Sequence, residues 1–390
     1  MIMLPKENQN PELMSKYQSL DTPFLSVDKQ IMLKNLARLR NKTDGLGAEL
    51  RPHFKTVRAI EAVEHLLPQK TSPITVSTVK EAEALVEEGY SNIVYAVGIS
   101  EGKLPRVSQL IAKGAEVRVL LDSVEQAQFV SQYSELHSCV IPAMIEVDCD
   151  GHRGGIHPDD PLLIEIASVL HQGAASFHGV LAHAGESYLC FDPESLAEAA
   201  NNEVKMTLKA ANNLRAAAIP CDIVSIGSTP TAHSYQDLTG ITEVRAGVYG
   251  FFDLVMTGIG VCQLKDIAAS VVTTVIGHNR EKGWIFIDAG WMALSGDRGT
   301  AGQPKDCDYG LVTECNGAVL DDLQVITVNQ EHGIIGAVDN SVLNLDNFPV
   351  GSRLHILPNH GCATASMHQH YHVFDTENET YEIWNRIQGW

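Results

Sequence analysis

Positive charge is scarce in this sequence: 28 lysines and arginines stand against 48 aspartates and glutamates in 390 residues, a formal net charge of −20 with a pI near 5.1. Such a molecule repels phosphate over its whole surface, which excludes nucleic acid and acidic membranes as expected partners. No apolar run approaches the roughly 18 residues that a membrane span needs. The eight cysteines, at 139, 149, 190, 221, 262, 307, 315 and 362, contain no C-x-x-C pair and no short-interval framework, so they are expected to be reduced core thiols. Met1 to Asn8 turns polar too early for the apolar core of a secretory signal, and a cytoplasmic location is the expectation. Internal repeats and low-complexity linkers are absent as well. With 44% hydrophobic and 19% charged residues disorder is not indicated, and small-molecule chemistry in a soluble globular protein is what remains.

What is present is a regular alternation. Strand-like segments recur at 49–56, 74–78, 92–97, 116–122, 143–148, 177–183, 222–227 and 243–250. Helix-length segments separate them, among them Val57 to Leu67, Lys80 to Glu88, Pro161 to Leu170 and Ser195 to Ala218. Eight strands alternating with helices predict an α/β fold, and without a G-x-G-x-x-G at the first crossover a (β/α)8 TIM-like barrel is favoured over a doubly wound sheet. The chain is longer than the roughly 250 residues of one barrel. From about Cys262 the pattern turns β-rich, at Ser270 to Ile276, Trp284 to Asp288, Gln324 to Asn329 and Arg353 to Leu357, between Gly/Asp-rich turns. This predicts a C-terminal mainly-β domain. The early strand Phe24 to Asp28, ahead of an amphipathic helix at Ile31 to Leu39, is expected to join it. The expected division is therefore 1–30 with the β domain, 31–258 as the barrel, and 259–390 as the β domain.

Chemistry in a barrel sits at the C-terminal ends of the strands. In Glu49-Leu50-Arg51-Pro52-His53-Phe54-Lys55-Thr56 the amine of Lys55 stands at such an end and is a candidate for covalent catalysis, against the ordinary reading of a solvated loop lysine. Gly227-Ser228-Thr229-Pro230-Thr231 follows the seventh strand and Gly247-Val248-Tyr249-Gly250 ends the eighth. Barrels commonly hold phosphate in these two loops, although a Ser/Thr-capped turn accounts equally well for the first. Arg153, after the fifth strand, suits a pyridine nitrogen or a carboxylate, or a pairing with Asp148 or Asp150. His183, in Leu181-Ala182-His183-Ala184-Gly185-Glu186-Ser187-Tyr188, adds an imidazole at the end of the sixth. In the β domain, Pro358-Asn359-His360-Gly361-Cys362 sets an imidazole and a thiol two residues apart, on one side of an extended backbone, and such soft donors suit zinc. His368, His370 and His372 alternate downstream, where histidines are more often merely solvated.

Together these residues resemble the fold-type III pyridoxal phosphate enzymes, specifically the D-serine dehydratase and D-threonine aldolase group. The resemblance runs through Arg51-Pro52-His53-x-Lys55-Thr56, the Gly227 and Tyr249 loops with Arg245-Ala246-Gly247, then Asp288-Ala289-Gly290-x-x-Ala293-Leu294-Ser295-x-Asp297-Arg298-Gly299, Glu331-His332-Gly333 and Pro358-Asn359-His360-x-Cys362. It implies pyridoxal 5'-phosphate and a divalent metal, zinc or manganese, as cofactors. Lys55 would be the Schiff-base lysine, and Gly227, Ser228, Thr229 and Tyr249 would surround the phosphate. Arg153 would face the pyridine ring, with His183 and Tyr188 also at the cofactor, and His360 with Cys362 would bind the metal. A homodimer acting on a small D-amino acid is implied as well. Where this group often has a histidine in a Gly-His-Ser-Tyr-like stretch, the chain has Gly185-Glu186-Ser187-Tyr188, a departure on the substrate side of the pocket.

The reaction so implied is elimination of water from a D-3-hydroxy amino acid, of the D-serine, D-threonine or D-3-hydroxyaspartate type, to a 2-oxo acid and ammonia. Its catalytic residues are Lys55, as base on the Cα hydrogen, and His360 and Cys362, whose metal polarises the β-hydroxyl. Retro-aldol cleavage to glycine and an aldehyde is the alternative, and the aldolase branch tends to carry aspartate in place of the cysteine of H-x-C. Racemisation does not need H-x-C, and a non-enzymatic pyridoxal phosphate carrier needs only a barrel.

Overall fold

The structure is a computed structural model that describes residues 10–315, 317–339 and 343–390; the polar leader Met1 to Asn8 lies outside the described residues. The chain folds into two compact units, Met1–Leu36 with Val248–Arg386, and Ala37–Gly247 with Ile387–Trp390. After a helix at Pro11–Ser19 the chain enters β1 (Phe24–Asp28), which is part of the first unit.

The second unit carries β2 (Glu49–Pro52), β3 (Ile74–Val76), β4 (Asn92–Gly98), β5 (Glu116–Leu121), β6 (Pro142–Val147), β7 (Ser176–Ala182), β8 (Ile223–Ile226) and β9 (Glu243–Ala246). They form one parallel sheet in the order β2-β9-β8-β7-β6-β5-β4-β3. The His53–Thr75 bridge brings β2 beside β3 and closes the ring, helped by the Phe54 N–H donated to Thr75 O at 2.8 Å. The result is the (β/α)8 barrel. Its strands are buried on both faces, which is why β5 reads as an unbroken apolar run from Val119 to Leu121 and not as an alternation. Side-chain caps start the crossover helices: Thr78 accepts the Glu81 N–H and Ser123 the Gln126 N–H. One expectation needs correction. Val57 to Leu67 is not a single helix; a 3-10 turn at Ile60–Ala62 leads into a short helix at Val63–Leu66. Arg58 takes a left-handed φ of 45°, and Pro68 forces Leu67 into extended backbone, so only the 3-10 turn and a single α-helical turn fit between them.

In the first unit, β10 (Ala269–Asn279), β11 (Trp284–Ile287), β12 (Leu311–Thr313), β13 (Val319–Val328), β14 (Gly333–Ala337), β15 (Arg353–Leu357), β16 (His370–Asp375) and β17 (Thr380–Asn385) join β1. The sheet order is β11-β14-β13-β12-β15-β10-β1-β16-β17, with β11 also pairing to β10. β10 manages three partners because it is long: residues 269–272 pair with β1 and 271–274 with β15, while Val275 to Asn279 pair with β11 through a register shift between Val275 and Gly277. Tyr17, Phe24, Val272 and Phe374 pack into one cluster that fixes the helix Pro11–Ser19 on this sheet.

Candidate functional site

Lys55 is presented by a segment whose other residues are pinned. The His53 N–H reaches Ala246 O at 2.7 Å on one side, and the Phe54 N–H reaches Thr75 O at 2.8 Å on the other. Phe54 and Thr56 are fully buried, while Lys55 between them is exposed. Among the described residues its ammonium has no hydrogen bond or ion pair. His53 Nδ1 accepts the Lys55 N–H at 3.4 Å. Burial pushes the His53 imidazole well below its ordinary range, and the charges of Lys55, Arg245, His183 and Arg153 add to the shift.

The loop after β8 needs glycine at 227. There φ is 142°, and an added Cβ would lie 2.0 Å from Arg245 O. Ser228 and Thr231 then form a capping box around the short helix Thr229–Ala232, so the Ser/Thr-capped turn is real. The Thr229 hydroxyl accepts the Gly247 N–H at 3.3 Å, tying the loops after β8 and β9 together. His183 lies 2.9 Å from Gly227 O through Nδ1. A carbonyl can only accept, so Nδ1 carries the proton and Nε2 keeps its lone pair. Burial lowers His183 to about 3, with Arg153, Arg245 and Lys55 helping and the Gly227 bond opposing. Tyr188 faces His183 with ring centroids 6.4 Å apart.

Arg153 is exposed, and the carboxylate it meets is that of Glu146 at 3.7 Å, not Asp148 or Asp150. Asp148 instead accepts the Asp150 and Gly151 amides of its own loop. Two residues to which the sequence assigns no role stand out. Arg245 is buried inside the barrel, donating to Ser225 Oγ at 2.6 Å and Ala182 O at 2.5 Å. Glu203 is fully buried and accepts the Gly227 N–H at 2.8 Å and the Ala184 N–H at 3.1 Å. The signal for Glu203 was a carboxylate on the stripe of Leu196, Ala200, Ala210 and Leu214 along the helix Pro193–Ala216. These groups fit an anionic, phosphate-bearing aldehyde. A partnerless amine, two guanidinium groups and two neutral imidazoles gather around a glycine loop that a Cβ would obstruct. Tyr249 is buried in the 3-10 turn Val248–Gly250, directly after β9 and Gly247.

In the β unit, His360 and Cys362 do not share an extended segment: His360, itself in extended backbone, is the N-cap of the helix Gly361–Met367, and Cys362 lies in its first turn. The two side chains still interact, since Cys362 is among the groups that raise the His360 imidazole. Its Nδ1 donates to Asp297 Oδ2 at 2.6 Å. Buried Asp253 closes the set, accepting the Gly361 N–H at 2.8 Å and the Met256 N–H at 2.9 Å. Burial alone would lower His360, but Cys362, Asp253 and Asp297 outweigh it and lift the imidazole to about 10. Among the described residues no group of three or more His, Cys, Asp or Glu side chains is arranged to hold a metal. The pair nevertheless fits a divalent cation in chemistry. One ring nitrogen is oriented by a carboxylate, as metal-ligating histidines usually are, and a thiol is at hand as a second soft donor. His370 and His372 share β16 with rings 5.0 Å apart, and His368 bonds Ala293 O at 2.9 Å, so these three form no metal cluster.

A family model for the alanine racemase N-terminal domain matches residues 27–254, and one for a serine dehydratase domain matches residues 268–374. D-threo-3-hydroxyaspartate dehydratase from Delftia sp. (strain HT23) is 44% identical over 375 residues, covering 95% of this chain and 98% of that protein. Its structure superposes with a TM-score of 0.93 over 96% of this chain and 99% of that one. A cysteine-to-alanine mutant of D-threo-3-hydroxyaspartate dehydratase, solved in the metal-free form, is 43% identical with a TM-score of 0.93 over 96% of this chain and 99% of that one. D-serine dehydratase from Dictyostelium discoideum is 27% identical over 391 residues, 95% of this chain and 98% of that protein. The chain belongs to the alanine racemase N-terminal domain family, among the fold-type III pyridoxal phosphate enzymes.

Proposed function

We propose that this protein is a pyridoxal phosphate- and divalent metal-dependent lyase that removes water from a D-3-hydroxy amino acid, with D-threo-3-hydroxyaspartate the first substrate to try. The observation that carries the reading is the full-length likeness to a D-threo-3-hydroxyaspartate dehydratase, in a chain where Cys362 acts on the His360 imidazole two residues before it. When bound, the cofactor supplies an electron sink for the substrate Cα, and the metal supplies a Lewis acid for the β-hydroxyl. Lys55 is the residue that holds the cofactor and takes the Cα proton, a role suited to an amine with no competing partner among the described residues. Gly227, Ser228, Thr229 and Tyr249 hold the phosphate, and Arg153, His183 and Tyr188 line the ring. His183, neutral through its lowered pKa, brings an acceptor at Nε2 and no added charge. His360 and Cys362 hold the metal, zinc or manganese, and Asp297 keeps the His360 ring in place. The solved metal-free cysteine mutant of a related dehydratase supports a metal in this group of enzymes.

A cytoplasmic homodimer is part of the proposal. No helix among the described residues is long and apolar enough to cross a membrane. Trp291, Met292 and Met367 expose 40%, 45% and 39% of their surface in the β unit, apolar area that a second copy can cover. Sedimentation across a dilution series checks this, and an active monomer at all concentrations refutes it.

The deciding experiment measures 2-oxo acid, ammonia and aldehyde from D-serine, D-threonine and D-threo-3-hydroxyaspartate, with and without chelator. Chelator-sensitive 2-oxo acid and ammonia in equal amounts is the expected result. Glycine plus an aldehyde makes the protein an aldolase, and interconversion of D and L forms makes it a racemase. No reaction with any of them leaves the carrier reading.

A further inference from the structure

One turn of the helix Pro193–Ala216 supports three strand-end loops at once. Asn202 Nδ2 donates to Cys149 O at 2.7 Å, on the loop after β6. Glu203 Oε1 accepts the Ala184 N–H at 3.1 Å, next to His183, and the Gly227 N–H at 2.8 Å. Its other oxygen accepts the Tyr235 hydroxyl, which also meets Thr231 Oγ1 at 3.0 Å. Apart from Thr207 the remainder of this buried helix face is apolar, and an apolar residue at 203 is what packing alone favours. A fully buried carboxylate with three converging donors has another use.

That use runs through Gly227. Its N–H is held by Glu203, its φ of 142° is open to glycine alone, and its carbonyl receives the His183 Nδ1–H at 2.9 Å. Rotating this residue away from Glu203 would turn the carbonyl from the imidazole. His183 would then be free to move its proton to Nε2, the nitrogen that otherwise keeps a lone pair.

We infer that Glu203 is a positioning residue that, by accepting the Gly227 N–H, aims the Gly227 carbonyl at His183, fixes the Nδ1–H tautomer of that imidazole and shapes the 227–231 cradle. The cradle half of this inference rests on the barrel mouth being the cofactor site; the tautomer half does not. Arg245 supplies the compensating positive charge beside the carboxylate.

The test uses two variants and two readouts on full-length protein. Nitrogen-15 histidine NMR of cofactor-free protein reads the tautomer, with the His183 signals assigned by their loss in His183→Asn. Titration with pyridoxal phosphate, followed by absorbance, reads the affinity. Glu203→Leu keeps the volume but accepts nothing, and it should show mixed His183 tautomers and affinity weaker by about tenfold or more, the scale of one lost buried hydrogen bond. Glu203→Gln can still accept both amides through its oxygen while its NH2 turns to the Tyr235 oxygen. It should keep the Nδ1–H tautomer and bind within about threefold of wild type. A merely structural role lowers the melting temperature of Glu203→Leu but leaves the tautomer alone. A folded Glu203→Leu with the wild-type tautomer and affinity overturns the inference. So does a Glu203→Gln that loses as much as Glu203→Leu, since charge and not acceptance would then be what matters. If Glu203→Leu does not fold, Glu203→Asp takes its place: one methylene shorter, it cannot serve both amides, and an unchanged tautomer in it overturns the inference equally. If wild type fails to bind pyridoxal phosphate, the cofactor reading falls while the tautomer readout still decides the case of Glu203.

Discussion

His183 in the barrel unit and His360 in the β unit are both half-buried, and burial alone disfavours the charged form of each. Yet His183 is held down at about 3 and His360 is lifted to about 10. The neighbours make the difference. His183 has Arg153, Arg245 and Lys55 around it, all cationic, whereas His360 has a thiol and two carboxylates. The same side chain thus reports opposite fields, and the fields say what each place can bind. A cationic rim with neutral imidazoles suits an anion such as a phosphate ester, and an anionic pocket that keeps an imidazole protonated suits a cation. The proton that His360 retains without metal is displaced when a metal takes the ring nitrogen, because only the neutral imidazole ligates.

The largest effect is expected where the cationic set acts on covalent chemistry. Lys55→Ala should lose turnover by roughly a thousandfold or more, the usual scale for removing a covalent catalyst. The fold should survive, because the Lys55 side chain is exposed while Phe54 and Thr56 do the anchoring. Wild type as purified should be yellow and the variant should not. Normal activity in the variant would sink the whole functional reading.

The contrast is tested next from the anionic side. Cys362→Ala, or chelation of wild type, should leave the visible band in place and slow elimination by about a hundredfold or more, since several kcal/mol of Lewis-acid stabilisation are lost at 1.36 kcal/mol per tenfold. Added zinc or manganese should restore the chelated sample but not the variant. If metal analysis finds the sample empty and its rate is unchanged, the pair is structural and the two places are not complementary.

A smaller effect belongs to pH. In the folded state His183 and His53 titrate below the unfolded value near 6.5. Between that value and the folded ones the unfolded chain binds more protons, so their contribution to stability is full above about pH 6.5 and is lost as pH falls through the folded values, about 3 in the case of His183. Replacing His183 by Asn in cofactor-free protein should flatten the acid limb of the unfolding free energy, by at most about 1.4 kcal/mol per pH unit, one proton's worth. An acid limb parallel to that of wild type in urea titrations would remove His183 from the contrast.

The two sides also differ in how far the sequence disclosed them. Strand positions were legible because doubly buried strands produce apolar runs, and Lys55 because it follows the end of the first of them, Glu49–Pro52, by three residues. The Gly-Ser-Thr-Pro-Thr stretch was legible as a turn, since the hydroxyl cap and the glycine φ are local requirements. Arg245 and Glu203 were not legible as parts of the site. One is an inward residue of a strand and the other an interior residue of a helix, and both matter through partners 19 to 63 positions away. Asp297 is likewise 63 residues from His360. The helix at Gly361–Met367 was missed because H-x-C reads equally well as extended chain, and the interaction of its two side chains survives either way.

The smallest predicted effect concerns Glu186, where the sequence departs from the Gly-His-Ser-Tyr-like stretch. Glu186 Oε1 lies 2.7 Å from His152 Nδ1, its own N–H reaches Asp150 Oδ2 at 2.9 Å, and the His152 ring is so close to Gly185 that an added Cβ there would come within 2.1 Å of it. The contact therefore joins the loops after β6 and β7, but its side chains are 42% and 48% exposed. A pair so open to water contributes about 0–1 kcal/mol and is screened by salt. Glu186→Gln should accordingly shift the unfolding free energy by less than about 1 kcal/mol. It should leave the visible band and kcat in place and change KM for D-threo-3-hydroxyaspartate by a few-fold, because the lost negative charge alters how a dicarboxylate approaches and not how it reacts. The KM difference from wild type should shrink as salt is raised. A fall in kcat beyond about tenfold, insensitive to salt, would place Glu186 in contact with the reacting atoms and add an anion to the barrel side of the comparison, beside Glu146 and Glu203.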